Sequence, residues 1–236
     1  MASPQQDSRA SHRHGLQSGV RRITPAEFVL AHTHVRRPPF VPEVQLHLAD
    51  DSVALWEQTQ VAVDRGQVPP PFWAFVWAGG QAVARYLLDA PQVVAGRTVV
   101  DIATGSGLVA IAASLSGAAD VQATDIDELA IAATRLNARL NGVRLAASSI
   151  DVRDVVVTAG TLVTVGDVFY DEKIAALMLT ELSRLAADGA EVLVGDPHRA
   201  YLPRDVLEVV ASFDVDVETD IEDAPVKPSI VARLRV

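Results

Sequence analysis

The stretch that decides the fold reads Val99-Val100-Asp101-Ile102-Ala103-Thr104-Gly105-Ser106-Gly107. An apolar β-branched run ends in an aspartate and gives way to a glycine turn. Asp125 follows Gly105 by 20 residues, at the end of a second strand-like segment. Strand, glycine turn, helix and an acidic second strand end make a nucleotide-binding βαβ unit.

Outward from this unit the alternation is regular. Hydrophobic periodicity predicts strands over 98–103, 120–125, 144–150, 161–166 and 190–195, with helices over 107–116, 128–140, 171–187 and 204–211 between and after them. Asn141-Gly142 is a good stop for the helix at 128–140. The chain ends differently, in two strands over 213–219 and 229–236 with only a loop between them. Repeated βα units closing on a strand pair predict an α/β protein with a mostly parallel sheet and one antiparallel edge strand. Upstream, Thr24 and Pro25 start a helix predicted over 24–36, a short strand is expected at 43–49, and Gly79-Gly80 precede a helix over 81–90. The expected organisation is a disordered tail at 1–22, an N-terminal helical and extended segment at 23–90 packed on the core, and a core at 91–236.

Composition narrows the function. The 236 residues are 49% hydrophobic, enough for one full core. A net charge of −10 argues against phosphate-driven nucleic-acid binding and favours a small molecule or a basic protein segment. No apolar run approaches the roughly 20 residues of a membrane span. The absence of cysteine rules out disulfides and thiolate metal sites, and fits a reducing compartment such as the cytoplasm. Residues 1–22 hold Arg9, Arg13, Arg21 and Arg22 against Asp7 alone. They have the arginine-rich, acid-poor character of a transit peptide, yet weak apolar periodicity favours a plain tail. His12, His14, His32 and His34 have no acid or cysteine beside them, so no metal site is expected.

The glycine turn suggests its own ligand. Gly105 and Gly107 let the backbone approach a ligand closely, and the helix that follows points its N–H groups at the same place. Asp101 would repel a dinucleotide phosphate and attract a cationic cofactor such as S-adenosylmethionine. Asp125 is placed to take both ribose hydroxyls, and Asp151, after the third strand, to accept from an adenine amino group. The rival is a nicotinamide-dinucleotide site, which also uses a glycine turn and an acid about 20 residues on. Asp101 and the antiparallel finish weigh against it.

With Asp125, the Asp101-to-Gly107 turn resembles class I, seven-β-strand, Rossmann-like methyltransferases that use S-adenosylmethionine. Three further stretches narrow this: Pro71 to Gln81 (PFWAFVWAGGQ), Gly166 to Glu172 (GDVFYDE) and Gly195 to Arg199 (GDPHR). Together with Pro42 to Leu46 they are similar to the electron transfer flavoprotein β-subunit lysine methyltransferases, over about residues 38–200. One departure is Ala103, where that family usually has glycine. Residues 152–160 match poorly.

The resemblance implies a doubly wound sheet, S-adenosylmethionine as cofactor, and N-methylation of exposed lysines. The implied substrate is the electron transfer flavoprotein β subunit, with a ribosomal stalk protein as a second target. It also implies that Trp77 lines the cofactor pocket, that Gly105 and Gly107 flank the methionine portion, and that Gly166 touches the cofactor. Asp167 and Tyr170 would border the methyl-transfer centre, the acid orienting the amine and the aromatic ring and hydroxyl lying near the nitrogen. Asp196-Pro197 ends the fifth strand and is a candidate substrate contact. The alternatives are methylation of a small amine on the same scaffold, a nicotinamide-dependent oxidoreductase, and a cofactor-binding module without catalysis.

Overall fold

The computed structural model describes residues 23–63, 70–217 and 224–235. The readings of residues 1–22 fall outside them.

The first helix, α1 (Pro25–His32), starts at a capping box. Thr24 accepts from the Glu27 amide, and the Glu27 carboxylate accepts from Thr24. It stops four residues short of the predicted end. Thr33 is already extended, and His34–Arg36 (β1) pairs antiparallel with Leu46–Leu48 (β2). A partner strand ten residues on outweighs local helical preference, which is a weak prior. The amides of Gln45 and His47 donate to the Asn141 and Asn137 side chains of a helix some 90 residues later, and so fix the extension to the core. The next helix, α2 (Ser52–Val63), leads by way of a 3-10 turn at Phe72–Ala74 to α3 (Ala78–Asp89). Helix α3 begins three residues earlier than predicted, so both glycines lie in its first turn.

The core then alternates as β3 (Thr98–Ile102), α4 (Leu108–Leu115), β4 (Asp120–Asp125), α5 (Glu128–Leu140), β5 (Ala146–Ser149), β6 (Leu162–Gly166), α6 (Glu172–Ala187) and β7 (Glu191–Asp196). Caps explain several boundaries. The Asp127 side chain accepts from the Leu129 amide at the start of α5, and Asp171 accepts from Lys173 and Ile174 at the start of α6. Residues 204–211 are not the expected helix. Arg204–Val206 forms a single 3-10 turn, and Leu207–Asp216 (β8) is a strand paired along its length with Val226–Leu234 (β9). A bulge between Val209 and Ala211 shifts the alternation of β8 by one residue, which hides the strand period from a sequence reading.

The seven strands run in the order β5-β4-β3-β6-β7-β9-β8. The first five are parallel; β9 is antiparallel to both β7 and β8 at that edge of the sheet. Alternate side chains sort to two cores. Val99, Val121, Leu162, Leu193 and Val231 pack with α3 and α4, whereas Val100, Val163, Val192 and Ala232 pack with α6. Both faces are therefore covered, as a doubly wound sheet requires. The chain leaves β3 for β4 on one side and later returns to β6 on the other. That makes the β3/β6 boundary the switch point, and the C-terminal ends of these strands the expected place for a ligand.

Candidate functional site

Four aspartates of the sequence reading arrive at strand ends. Asp101, at the end of β3, is buried, and both its oxygens accept hydroxyls: Thr104 Oγ1 at 2.6 Å and Thr164 Oγ1, from β6, at 2.8 Å. Burial pushes its pKa up to about 6, with the two hydroxyls pulling the other way. Asp101 therefore ties β3, the turn and β6 together on the floor of the site.

The turn itself is left-handed at three positions: Ala103 (φ 53°), Gly105 (φ 53°) and Gly107 (φ 84°). Helix α5 clamps it from behind. Thr134 Oγ1 donates to the Gly105 carbonyl at 3.1 Å and Asn137 Nδ2 to the Ser106 carbonyl at 2.8 Å. A Cβ on Gly107 would fall 2.9 Å from Thr134 Cγ2. Asp125, at the end of β4, accepts from the Gly105 amide and the Asp127 amide, each at 3.0 Å. A carboxylate has about four acceptor sites, so capacity remains for a ligand. Asp151 is placed differently. It follows β5, is not among the residues lining the pocket, and is gripped by Arg153 at 2.6 and 2.8 Å, which holds its pKa near 2.

The ends of β6 and β7 carry the other half. Gly166 lies under α3: a Cβ there would sit 2.8 Å from the Cα and N of Gly80. Asp167 has φ 59°, an uncommon value for a side-chain-bearing residue, and its amide donates to the Gly195 carbonyl. One carboxylate oxygen accepts from the Gly80 amide at 2.7 Å and the other from Arg199 Nη2 at 2.9 Å. Burial raises its pKa, while Arg199 and the α3 amides oppose the rise. The N-terminus of α3 is thus aimed at a carboxylate, a pairing that the helix dipole favours.

An aromatic wall stands beside it. The Tyr170 ring centroid lies 5.6 Å from Phe72, and Phe72 lies 5.7 Å from Trp77. Trp77 Nε1 donates to the Phe72 carbonyl, and the Arg199 guanidinium stands 5.7 Å from the Trp77 ring centre. Tyr170 is 44% exposed, so part of it stays open to solvent beside Phe72, which lines the cavity. Asp196 at the end of β7 is fully buried and accepts from the Arg199 amide at 2.7 Å; burial first, and Asp167 next to it, push its pKa up to about 6.

A single cavity joins these halves. It is lined by Trp77, Gly80, Asp101, Gly105, Gly166 and Asp167, together with Phe72, Phe75, Val76, Ala103, Thr104, Ser106, Leu108 and Val109. Gly107, Asp125 and Tyr170 flank it. Sequence reasoning missed Thr134, Asn137 and the pairing of Arg199 with Asp167. The one available signal was the polarity of Thr134 and Asn137 on the buried face of an amphipathic helix. Among the described residues no group of three or more His, Asp or Glu is placed to hold a metal, and no helix is long and apolar enough to cross a membrane.

Comparison with known proteins follows the same line. A family profile for ribosomal protein L11 methyltransferase (PrmA) matches residues 85–195. The Xenopus laevis electron transfer flavoprotein beta subunit lysine methyltransferase is 39% identical over 75% of this chain and 71% of its own length. The chain belongs to the electron transfer flavoprotein beta subunit lysine methyltransferase family. A Caenorhabditis elegans homolog of that family is 34% identical over 74% of this chain and 77% of its own length. The crystal structure of a Pyrococcus horikoshii protein assigned as an RNA methyltransferase shares the fold, with TM-score 0.54 at 15% identity over 76% of this chain and 99% of the other.

As a member of this family the chain is a methyltransferase that uses S-adenosylmethionine. The residues present fit that group. Gly105 lines the cavity in the left-handed conformation with no side chain between its backbone and a ligand, Asp125 keeps acceptor capacity, and the cavity combines apolar walls with two carboxylates, which suits a cationic ligand.

Proposed function

We propose that this chain methylates lysine side chains of the electron transfer flavoprotein β subunit, with a ribosomal stalk protein as a second target. The observation that carries the reading is the fixed Asp167 carboxylate at the end of β6, with Trp77, Phe72 and Tyr170 beside the cofactor cavity. A carboxylate next to aromatic rings attracts an ammonium and orients its nitrogen.

When bound, S-adenosylmethionine would supply a sulfonium-activated methyl group, open to attack by an amine lone pair with the C–S bond breaking and the neutral thioether as leaving group. The chain supplies the rest. In this reading the turn at Gly105 and Gly107 and the first amides of α4 hold the carboxylate end of the cofactor. Asp125 holds the ribose hydroxyls, Trp77 and Gly166 form the walls, and Asp101 keeps the turn on β6. Asp151 lies outside the cavity lining with Arg153 on both oxygens, so a contact to the adenine amino group would draw on its spare acceptor sites. Asp167 and Tyr170 orient the acceptor nitrogen. A cysteine-free sequence is compatible with a reducing compartment, and we take the cytoplasm as the place of action.

The test is transfer of radiolabelled methyl from S-adenosylmethionine to purified electron transfer flavoprotein β subunit, with mass spectrometry of its lysines. Label on lysine is expected, and Asp167→Ala should keep cofactor affinity while losing most turnover. Label confined to small amines added to the reaction would support the small-molecule alternative. No label on any amine would overturn both.

A further inference from the structure

Arg199 is a cation already seated where the proposed substrate cation is drawn. It pairs with Asp167 at 2.9 Å, and its guanidinium stands 5.7 Å from the Trp77 ring centre. Its own turn is built to deliver it there. The Asp196 carboxylate accepts the Arg199 amide at 2.7 Å, and His198 before it has φ 64°, in the left-handed region. Asp196 is fully buried, so the strand end itself, rather than solvent, sets the position of Arg199. The left-handed residue and the buried acid together turn the chain so that Arg199 meets Asp167.

Both Asp167 oxygens are acceptors in this arrangement, one from the Gly80 amide and one from Arg199. Both donors favour the ionised form of this carboxyl over the protonated one, the guanidinium most because it is charged. We propose that Arg199 is a positioning residue for methyl transfer. It holds Asp167 as a carboxylate that orients the acceptor amine without taking its proton, so the lysine gives that proton to bulk water before it reacts. The proposal rests on the reading that Asp167 borders the acceptor nitrogen.

The charged and titratable groups around Asp167 are Arg199 from the β7–β8 connection and Asp196 at the end of β7, and the neutral amides of Gly79 and Gly80 from α3 donate to it. Tyr170 lies beyond Arg199, and Asp125 faces Tyr170 from β4. Arg199 is the cation among them that opposes the burial of Asp167. Without it, Asp167 would keep its proton to higher pH. Because its folded-state pKa would then lie further above the unfolded value, stability would be lost as pH rises through that interval.

The experiment has two arms on wild type, Arg199→Lys and Arg199→Met. In the first, Tm of the cofactor-free protein is followed from pH 5 to 8. Arg199→Met should lose more Tm across this range than wild type, and Arg199→Lys should track wild type. In the second, kcat/KM for a lysine substrate is measured against pH. Wild type should rise about tenfold per pH unit through neutrality, because the neutral amine fraction does. Arg199→Met should fall about tenfold or more at pH 7 and regain part of this at higher pH, with Arg199→Lys staying within about threefold of wild type. Equal losses for both variants at every pH, with an unchanged pH dependence of Tm, would overturn the proposal. So would a wild-type rate that levels off below pH 7, since that would make Asp167 the proton acceptor. If wild type methylates no amine at all, the proposed function fails, yet the Tm arm still reads the coupling of Arg199 to Asp167.

Discussion

Gly79 and Gly195 touch backbone to backbone: a Cβ on Gly79 would fall 2.3 Å from the Gly195 carbonyl oxygen, and one on Gly195 would fall 2.1 Å from the Gly79 carbonyl oxygen. This contact seats the first turn of α3 on the end of β7, and from there the Gly80 amide reaches Asp167. Because the obstacles are backbone atoms, neither side can yield cheaply. Gly79→Ala and Gly195→Ala should each destabilise the fold by about 3 kcal/mol or more, measured by urea denaturation. A loss below about 1 kcal/mol would show that the helix can lift off the sheet.

Asp101 should leave a mark on the pH dependence of stability. Its folded-state pKa, about 6, lies above the ordinary value of 3.8. Its contribution is therefore fully present below pH 4 and is lost as pH rises through 6, by about 3 kcal/mol. Asp101→Asn cannot ionise but offers one acceptor oxygen to two hydroxyls. Relative to wild type, it should be less stable by about 1 kcal/mol at pH 4 and as stable or more stable at pH 7. Parallel stability curves for the two proteins would exclude this account. Asp196, with a similar elevation, is common to both proteins and cancels in the comparison.

Ala103 carries a methyl group where the backbone is left-handed, φ 53°. A left-handed L-residue costs about 1–2 kcal/mol, and glycine loses about 0.4–1 kcal/mol through its freer unfolded chain. Ala103→Gly should therefore stabilise the protein by about 0.5–1 kcal/mol. Because Ala103 lines the cofactor cavity, isothermal titration with S-adenosylmethionine would show whether the methyl group also limits binding. Equal affinity is expected, since the residue is exposed and a single methyl group adds little bulk beside the ligand.

Tyr170 separates ring from hydroxyl. If its aromatic face helps to hold the acceptor, Tyr170→Ala should raise KM for a lysine substrate by about 2- to 30-fold, the equivalent of a cation–ring contact of about 0.5–2 kcal/mol. Tyr170→Phe keeps the ring against Phe72 and should stay within about threefold of wild type. A Phe variant as impaired as the Ala variant would move the role to the hydroxyl.

How much of this was legible depends on the range of the interaction. Helix 128–140 is found at Glu128–Leu140 because its cap, Asp127, and its stop, Asn141-Gly142, are local signals. The predicted helix at 204–211 is a strand because a bulge scrambled its period and a partner 20 residues on supplied its hydrogen bonds. Helix 24–36 ran too long for the same reason, since β1 exists by pairing with β2. At the site, Asp101, Asp125 and Gly166-Asp167 could be read because strand ends and glycine turns are short motifs. Thr134 and Asn137 look like ordinary helix residues until the fold lays α5 behind the turn.

By itself, then, the sequence determined the alternation of strands and helices from β3 to β7, the glycine turn and the acids at the strand ends. Each follows from periodicity or backbone sterics within a few residues. The tertiary structure alone decided what those acids do. It carried the Gly80 amide to Asp167 across 87 residues and Arg199 to the same carboxylate across 32, while turning Asp101 to two hydroxyls. Charge and burial act through space, so whether a carboxylate is a base, a clamp or a positioning group depends on which donors the sheet order brings to it.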